Sequence, residues 1–186
     1  MRITGGLSKG RVLSPLKGFI IRPTADKVRG AIFNILGQDM TGLGILDLFA
    51  GSGSLGIEAL SRGAKWALFI DHSRQSIQLI QKNLKLCGFE SSGYIMKRDL
   101  QRDLPWKDPL IIKGVDLIFI DPPYEKDFLV PVLKRLSEKP ILKSSSIVVT
   151  ESYKTEPVPD KLGKLRLYDT KLYGETKIDI YHCEDS

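Results

Sequence analysis

The chain has 186 residues, 42% of them hydrophobic and 27% charged, with a formal net charge of +6 and two cysteines. That length supports one well-filled core with a small appendage, and the widely separated Cys87 and Cys183 are too few for a disulfide framework. No apolar stretch approaches the roughly 18 residues of a membrane span and the N-terminus lacks the apolar core of a secretory signal, so a cytoplasmic protein is expected.

In chain order, residues 1 to 29 carry seven basic side chains against one acid, Asp26, so the whole net charge of +6 resides there and the remainder is neutral. Such a concentration is the electrostatic footprint of a polyanion partner. Ile3, Val12, Leu13, Phe19, Ile20 and Ile21 are interleaved with the charges, a pattern that predicts a short hairpin rather than a solvated tail. Residues 1–22 are therefore assigned to a basic arm and 23–186 to the main domain. Pro23-Thr24 predicts a helix start with Thr24 as N-cap, because Val28, Ala31, Ile32, Ile35 and Leu36 follow at helical spacing. Strands are then predicted at 45–49, 66–70, 94–96, 115–120 and 147–150, alternating with helices at 54–62, 73–86 and 128–136. This βαβα order predicts a parallel sheet covered on both faces. Segments 165–172 and 176–182, joined by Tyr173-Gly174-Glu175, predict a closing antiparallel pair and a seven-stranded sheet. In the last strand Lys177, Asp179 and Tyr181 alternate with Ile178 and Ile180, which predicts one wetter face.

The first strand runs into Asp47-Leu48-Phe49-Ala50-Gly51-Ser52-Gly53-Ser54-Leu55-Gly56. Ligands of open α/β sheets bind beyond the carboxyl ends of the strands, where the first loop meets its helix. Gly51 and Gly53 admit close backbone approach and Gly56 close helix packing. The spacing Gly51-x-Gly53-x-x-Gly56, with Asp71 ending the second strand, also satisfies a dinucleotide fingerprint, so an NAD-dependent oxidoreductase is one alternative. Asp47 argues otherwise: a carboxylate repels a pyrophosphate but attracts the ammonium and sulfonium of S-adenosylmethionine. Asp99, after the third strand, is placed to accept from an adenine amino group. After the fourth strand, Asp121-Pro122-Pro123-Tyr124 combines a carboxylate and a carbonyl that accept the hydrogens of a planar –NH2 with an aromatic face for its ring. Such a site suits methylation of an exocyclic base nitrogen.

With Arg22-Pro23-Thr24-x-Asp26-x-Val28-Arg29, Leu46-Asp47-Leu48-Phe49-Ala50-Gly51-Ser52-Gly53 and Asp121-Pro122-Pro123-Tyr124 in this order, the chain resembles the RsmD-type 16S rRNA guanine-N2 methyltransferases. Arg2-Ile3-Thr4-Gly5-Gly6, Lys9-Gly10-Arg11, Glu58-Ala59-Leu60-Ser61-Arg62-Gly63-Ala64 and Tyr173-Gly174-Glu175-Thr176 extend the resemblance over nearly the whole length. One departure is Gly30, where that family usually has Glu. The resemblance implies a class I, Rossmann-like methyltransferase fold and methylation of the guanine amino group at position 966 of small-subunit ribosomal RNA.

It also implies roles for individual residues. Asp47, Phe49, Ala50, Gly51, Ser52 and Gly53 would surround the methionine part of S-adenosylmethionine, Asp71 would hold the ribose, and Asp99 with Leu100 the adenine, which His72 would border. Asp121 and Pro122 would orient the target amino group and Tyr124 would stack on the extruded guanine. Arg2, Lys9, Arg11, Arg22 and Arg29 are the candidates for RNA phosphates, with Arg22 and Thr24 open to a cofactor role instead. No metal is required, and a monomer acting on ribosomal RNA or an assembling small subunit is expected. Removal of residues 1–15 is expected to weaken RNA binding and spare the cofactor site. A DNA adenine-N6 or cytosine-N4 methyltransferase shares the tetrapeptide, and a non-catalytic RNA-binding protein shares the fold.

Overall fold

The computed structural model describes residues 1–16, 23–123 and 128–184. Elements follow as α1 (Pro23–Leu36), β1 (Gly44–Leu48), α2 (Ser54–Ser61), β2 (Trp66–Asp71), α3 (Arg74–Cys87), β3 (Gly93–Lys97), β4 (Val115–Ile120), α4 (Leu129–Ser137), β5 (Leu142–Tyr153), β6 (Lys161–Leu162), β7 (Leu165–Tyr173) and β8 (Thr176–Cys183). The strands join in one sheet ordered β3-β2-β1-β4-β5-β8-β7-β6. Pairings from β3 to β5 are parallel and those beyond β5 antiparallel. The expected parallel sheet with an antiparallel edge is thus present, with β6 as an eighth strand of two residues. Such a short strand has no periodicity to reveal it. Thr24 lies within the first turn of α1, which begins at Pro23, and is therefore not its N-cap.

Alternation along the strands sends side chains to two cores. Ile45, Leu117 and Phe119 face one core with Val28, Ile32 and Phe33 of α1 and residues of α2 and α3. Leu46, Leu48, Ile118 and Ile120 face the other with Leu129, Val132, Leu133 and Leu136 of α4. Every residue of β1 is buried because helices cover both faces. The wetter face expected for β8 is dry, since the chain at 156–159 lies over it and Lys177 Nζ donates to Glu156 O. Lys177 and Asp179 are buried together at 3.5 Å, Thr170 Oγ1 donates to Asp179 at 2.6 Å, and the Tyr181 hydroxyl donates to the Pro159 carbonyl at 3.1 Å.

The basic arm forms the expected hairpin: Ile3 N–H donates to Arg11 O and Gly10 N–H to Ile3 O, each at 2.9 Å. It is not separable from the domain, however. Ile3 and Leu13 are each 1% exposed and belong to the core under α1, α2 and α3. Removing residues 1–15 would strip that core, which overturns the expectation that the cofactor side survives the truncation. Gly5-Gly6 is needed for this docking. A Cβ on Gly6, whose φ is 71°, would stand 1.7 Å from the Ser61 carbonyl oxygen at the end of α2.

Glu58 of α2 holds the junction. Its buried carboxylate accepts from Thr4 N–H at 2.9 Å, Thr4 Oγ1 at 2.8 Å, Gly5 N–H at 2.8 Å, Arg29 Nε at 3.2 Å and Arg62 Nε at 2.9 Å. Hairpin, α1 and α2 therefore converge on one charge. Arg29, proposed from sequence as a phosphate contact, is 3% exposed and bonded to Glu58, Asp26 and the Arg2 carbonyl, so it is withdrawn from the surface set. Its charge is consumed inside the protein. Glu58→Gln leaves two buried guanidinium groups short of a counter-charge and is expected to cost about 3 kcal/mol or more, measured as a lowered urea midpoint. An unchanged midpoint would remove Glu58 from this central position.

Candidate active site

The carboxyl ends of β1, β2, β4 and β5 share one edge of the sheet, and their acids gather there. Asp47 pairs in register with Phe119, and Phe119 with Val149, which places Asp47, Asp121 and Glu151 on the same face of neighbouring strands. Asp47 is 2% exposed, and its Oδ2 accepts the Gly56 N–H at 2.9 Å. This bond fixes the first turn of α2 to the end of β1. A Cβ on Gly56 would stand 2.3 Å from Phe69 and 3.1 Å from Asp47 Oδ2, so glycine is what permits the approach.

Between them the chain turns through a strained loop. Phe49 has φ 59°, a left-handed conformation unusual for a non-glycine residue, and Gly51 and Gly53 follow at 55° and 77°. The loop is held at three points: Ala50 N–H donates to Ile70 O at 3.1 Å, Gly51 N–H to Asp71 Oδ2 at 2.9 Å, and Ser52 O accepts from Asn83 Nδ2 at 2.9 Å. Asp71 also accepts Ser73 N–H at 2.8 Å through its other oxygen. It thus shapes the loop, and lone pairs remain on its oxygens for a further donor. The Phe49 ring lies parallel to Phe128 at 6.3 Å, joining this loop to the segment after Asp121.

Burial pushes the Asp47 carboxyl up to about 7, with the Asp71 charge adding and the Gly56 N–H opposing. Asp121 is likewise held well above the usual carboxylate range, first by desolvation, then by the negative charges of Glu151 and Asp47. Two neighbouring strand ends therefore carry acids whose ionisation is resisted until a cation arrives. Asp99 is half-buried, accepting Gln101 N–H at 3.0 Å and pairing with Arg102 at 3.3 Å. The Leu100 side chain is 2% exposed and belongs to the core around α4, so any ligand contact there falls to its backbone. His72 is exposed, 3.6 Å from Asp71. Pro122 is buried, whereas Arg22, Tyr124 and the side chain of Thr24 lie outside the described residues. Arg2, Lys9 and Arg11 are exposed along the hairpin, Arg11 donating to Leu86 O at 2.8 Å and Arg2 to Gly10 O at 2.7 Å. Sequence reasoning missed Glu151 and Asn83, whose positions depend on strand register and helix docking.

A family model described as "Conserved hypothetical protein 95" matches residues 1–182. The chain belongs to this family. Among its relatives, YlbH of Bacillus subtilis is 37% identical over 183 residues, covering 97% of this chain and 98% of that one. The protein named ribosomal RNA small subunit methyltransferase D is 34% identical in Haemophilus influenzae, over 85% of this chain and 81% of that one. Its Escherichia coli K12 counterpart is 30% identical over 99% of this chain and 90% of that one. The solved structure of YhhF from Escherichia coli superposes with a TM-score of 0.84 at 30% identity, over 100% and 99% of the two chains. Gly30, the visible departure from the RsmD pattern, stands where an added Cβ would meet nothing within 4 Å.

The raised Asp47 carboxyl has a thermodynamic consequence in the free protein. Its folded value of about 7 exceeds the ordinary value of 3.8, so its contribution to stability is present below pH 4 and lost as pH rises through 7. Asp47→Asn removes that loss. The variant is expected to gain roughly 4 kcal/mol over the parent at pH 8 and much less at pH 4, read from paired urea titrations. Equal differences at both pH values would contradict the raised ionisation.

Proposed function

We propose that the chain transfers a methyl group from S-adenosylmethionine to the exocyclic amino group of a guanine in small-subunit ribosomal RNA. The observation that carries this reading is the pair of desolvated acids, Asp47 and Asp121, on adjacent strand ends beside a glycine loop. The small-subunit rRNA methyltransferase names of the relatives favour an RNA substrate over the DNA alternative and over NAD chemistry. Position 966 and the N2 atom rest on the RsmD resemblance.

The residues fit the donor. When bound, S-adenosylmethionine supplies a methyl carbon made electrophilic by its sulfonium. Asp47, costly to ionise alone, is stabilised by the cationic methionine part, and the 49–53 loop presents backbone groups shaped by Asp71 and Asn83. Asp99 serves the adenine amino group. Asp121 and the Pro122 carbonyl accept the two amino hydrogens of the guanine, which turns the nitrogen lone pair toward the methyl carbon. As the amino nitrogen takes the methyl and the carbon–sulfur bond breaks to leave a neutral thioether, the proton the nitrogen sheds would pass to Asp121, whose raised basicity suits the task. Tyr124 would stack on the extruded base. Arg2, Lys9 and Arg11 hold phosphates, and the enzyme works as a cytoplasmic monomer on ribosomal RNA or the assembling subunit.

Asp121→Ala is expected to lower single-turnover methyl transfer to ribosomal RNA by at least 100-fold while cofactor affinity by calorimetry stays within threefold. Full activity would sink the assignment of Asp121. For the arm, replacing Arg2, Lys9 and Arg11 together by Ala is expected to weaken RNA binding and to reduce the slope of log K against log salt by about 2 to 3. A slope equal to the parent's would show that the hairpin does not touch phosphate.

A further inference from the structure

Asn83 lies in the middle of α3, is fully buried, and spends its whole amide on groups distant in sequence. Its Oδ1 accepts the Ser14 N–H at 2.9 Å, and its Nδ2 donates to Ser14 O at 3.1 Å and to Ser52 O at 2.9 Å. One planar side chain therefore closes a ring with the last turn of the N-terminal hairpin and simultaneously grips the middle of the 49–53 loop. A second contact runs parallel to it: the Ser52 hydroxyl lies 3.6 Å from Met1 Sδ, and the Met1 carbonyl accepts Leu13 N–H at 2.9 Å. One end of the hairpin thus meets Ser52 directly and the other reaches it through Asn83. A buried amide with three partners on two segments is satisfied only when both segments are in place, since displacing either one leaves polar atoms unpaired in the interior.

We propose that Asn83 is a positioning residue through which the N-terminal hairpin sets the shape of the cofactor loop, making residues 1–16 part of the methyl donor's site as well as a polyanion contact. This rests on the reading that the 49–53 loop holds the donor. Phe49 has left-handed backbone, which is costly for a residue with a side chain, and Gly51 and Gly53 are free to leave theirs, so the loop needs outside bonds to keep one conformation. Ile70 O and Asp71 supply two from the sheet side, and Asn83 supplies the third from the hairpin side.

The test compares the parent with Asn83→Leu and Asn83→Asp. Aspartate is isosteric and keeps the acceptor for Ser14 N–H, but it loses both donors and turns an oxygen toward the Ser52 carbonyl. For both variants the dissociation constant of S-adenosylmethionine, by calorimetry, is expected to rise at least tenfold. The KM for the donor should rise with it while kcat falls no more than threefold. Hydrogen exchange of Gly51 and Gly53 should accelerate together with that of Ile3 and Gly10, while amides of β4 remain as protected as in the parent. Parent-like donor affinity and loop exchange in Asn83→Asp would overturn the proposal. If Asn83→Leu does not fold, Asn83→Asp alone decides. Should the parent itself bind no S-adenosylmethionine, the functional reading fails, and the exchange of Gly51 and Gly53 in Asn83→Asp still decides whether Asn83 holds the loop.

Discussion

The rest of the site depends on a carboxylate buried at the end of a strand that is dry on both faces. Asp47 is there because β1 runs between two cores, and it stays because Gly56 brings a backbone N–H to 2.9 Å. That single bond sets where α2 begins and how the loop between them must turn. Its energetic character follows from burial: an acid lifted to about 7 is unfavourable when ionised and alone, and favourable when a cation shares the cavity. Asp121 and Glu151 on the adjoining strands deepen the same field, so this edge of the sheet is prepared for positive charge. A cationic methyl donor relieves it, whereas a pyrophosphate would aggravate it. This is why the glycine spacing, taken by itself, points to the wrong cofactor class.

The N-terminal segment shows how one stretch of chain can answer two demands. Its exposed Arg2, Lys9 and Arg11 carry a field suited to nucleic acid. Its buried side, Ile3, Leu13 and the Gly5-Gly6 turn, closes the core over α2 and α3. Glu58 joins the two by drawing hairpin amides and two arginines onto one carboxylate. Part of the positive charge counted in the sequence therefore belongs to internal electrostatics. With Asn83 on one side and Glu58 on the other, the hairpin is wedged against the first turn of the site rather than hung beside it.

By itself the sequence determined what is periodic or local. Apolar alternation located the main strands and helices, the glycine spacing located the turn after β1, and the acids were placed at strand ends along one edge of the sheet, because each of these is set by neighbours a few residues away. The tertiary structure decided the rest. Arg29 and Arg2 have the same charge within the basic first 29 residues, yet one is interior and the other exposed, because the first meets Glu58, 29 residues away. Lys177 and Asp179 alternate as a wet face would, yet the chain at 156–159 lies over that face and removes the water. Asn83 reads as an ordinary polar residue of a helix until Ser14 and Ser52, 69 and 31 residues away, close around it. Contacts of that span depend on strand order and helix docking, which no local pattern encodes, and they decide which of the visible charges face a ligand and which hold the protein together.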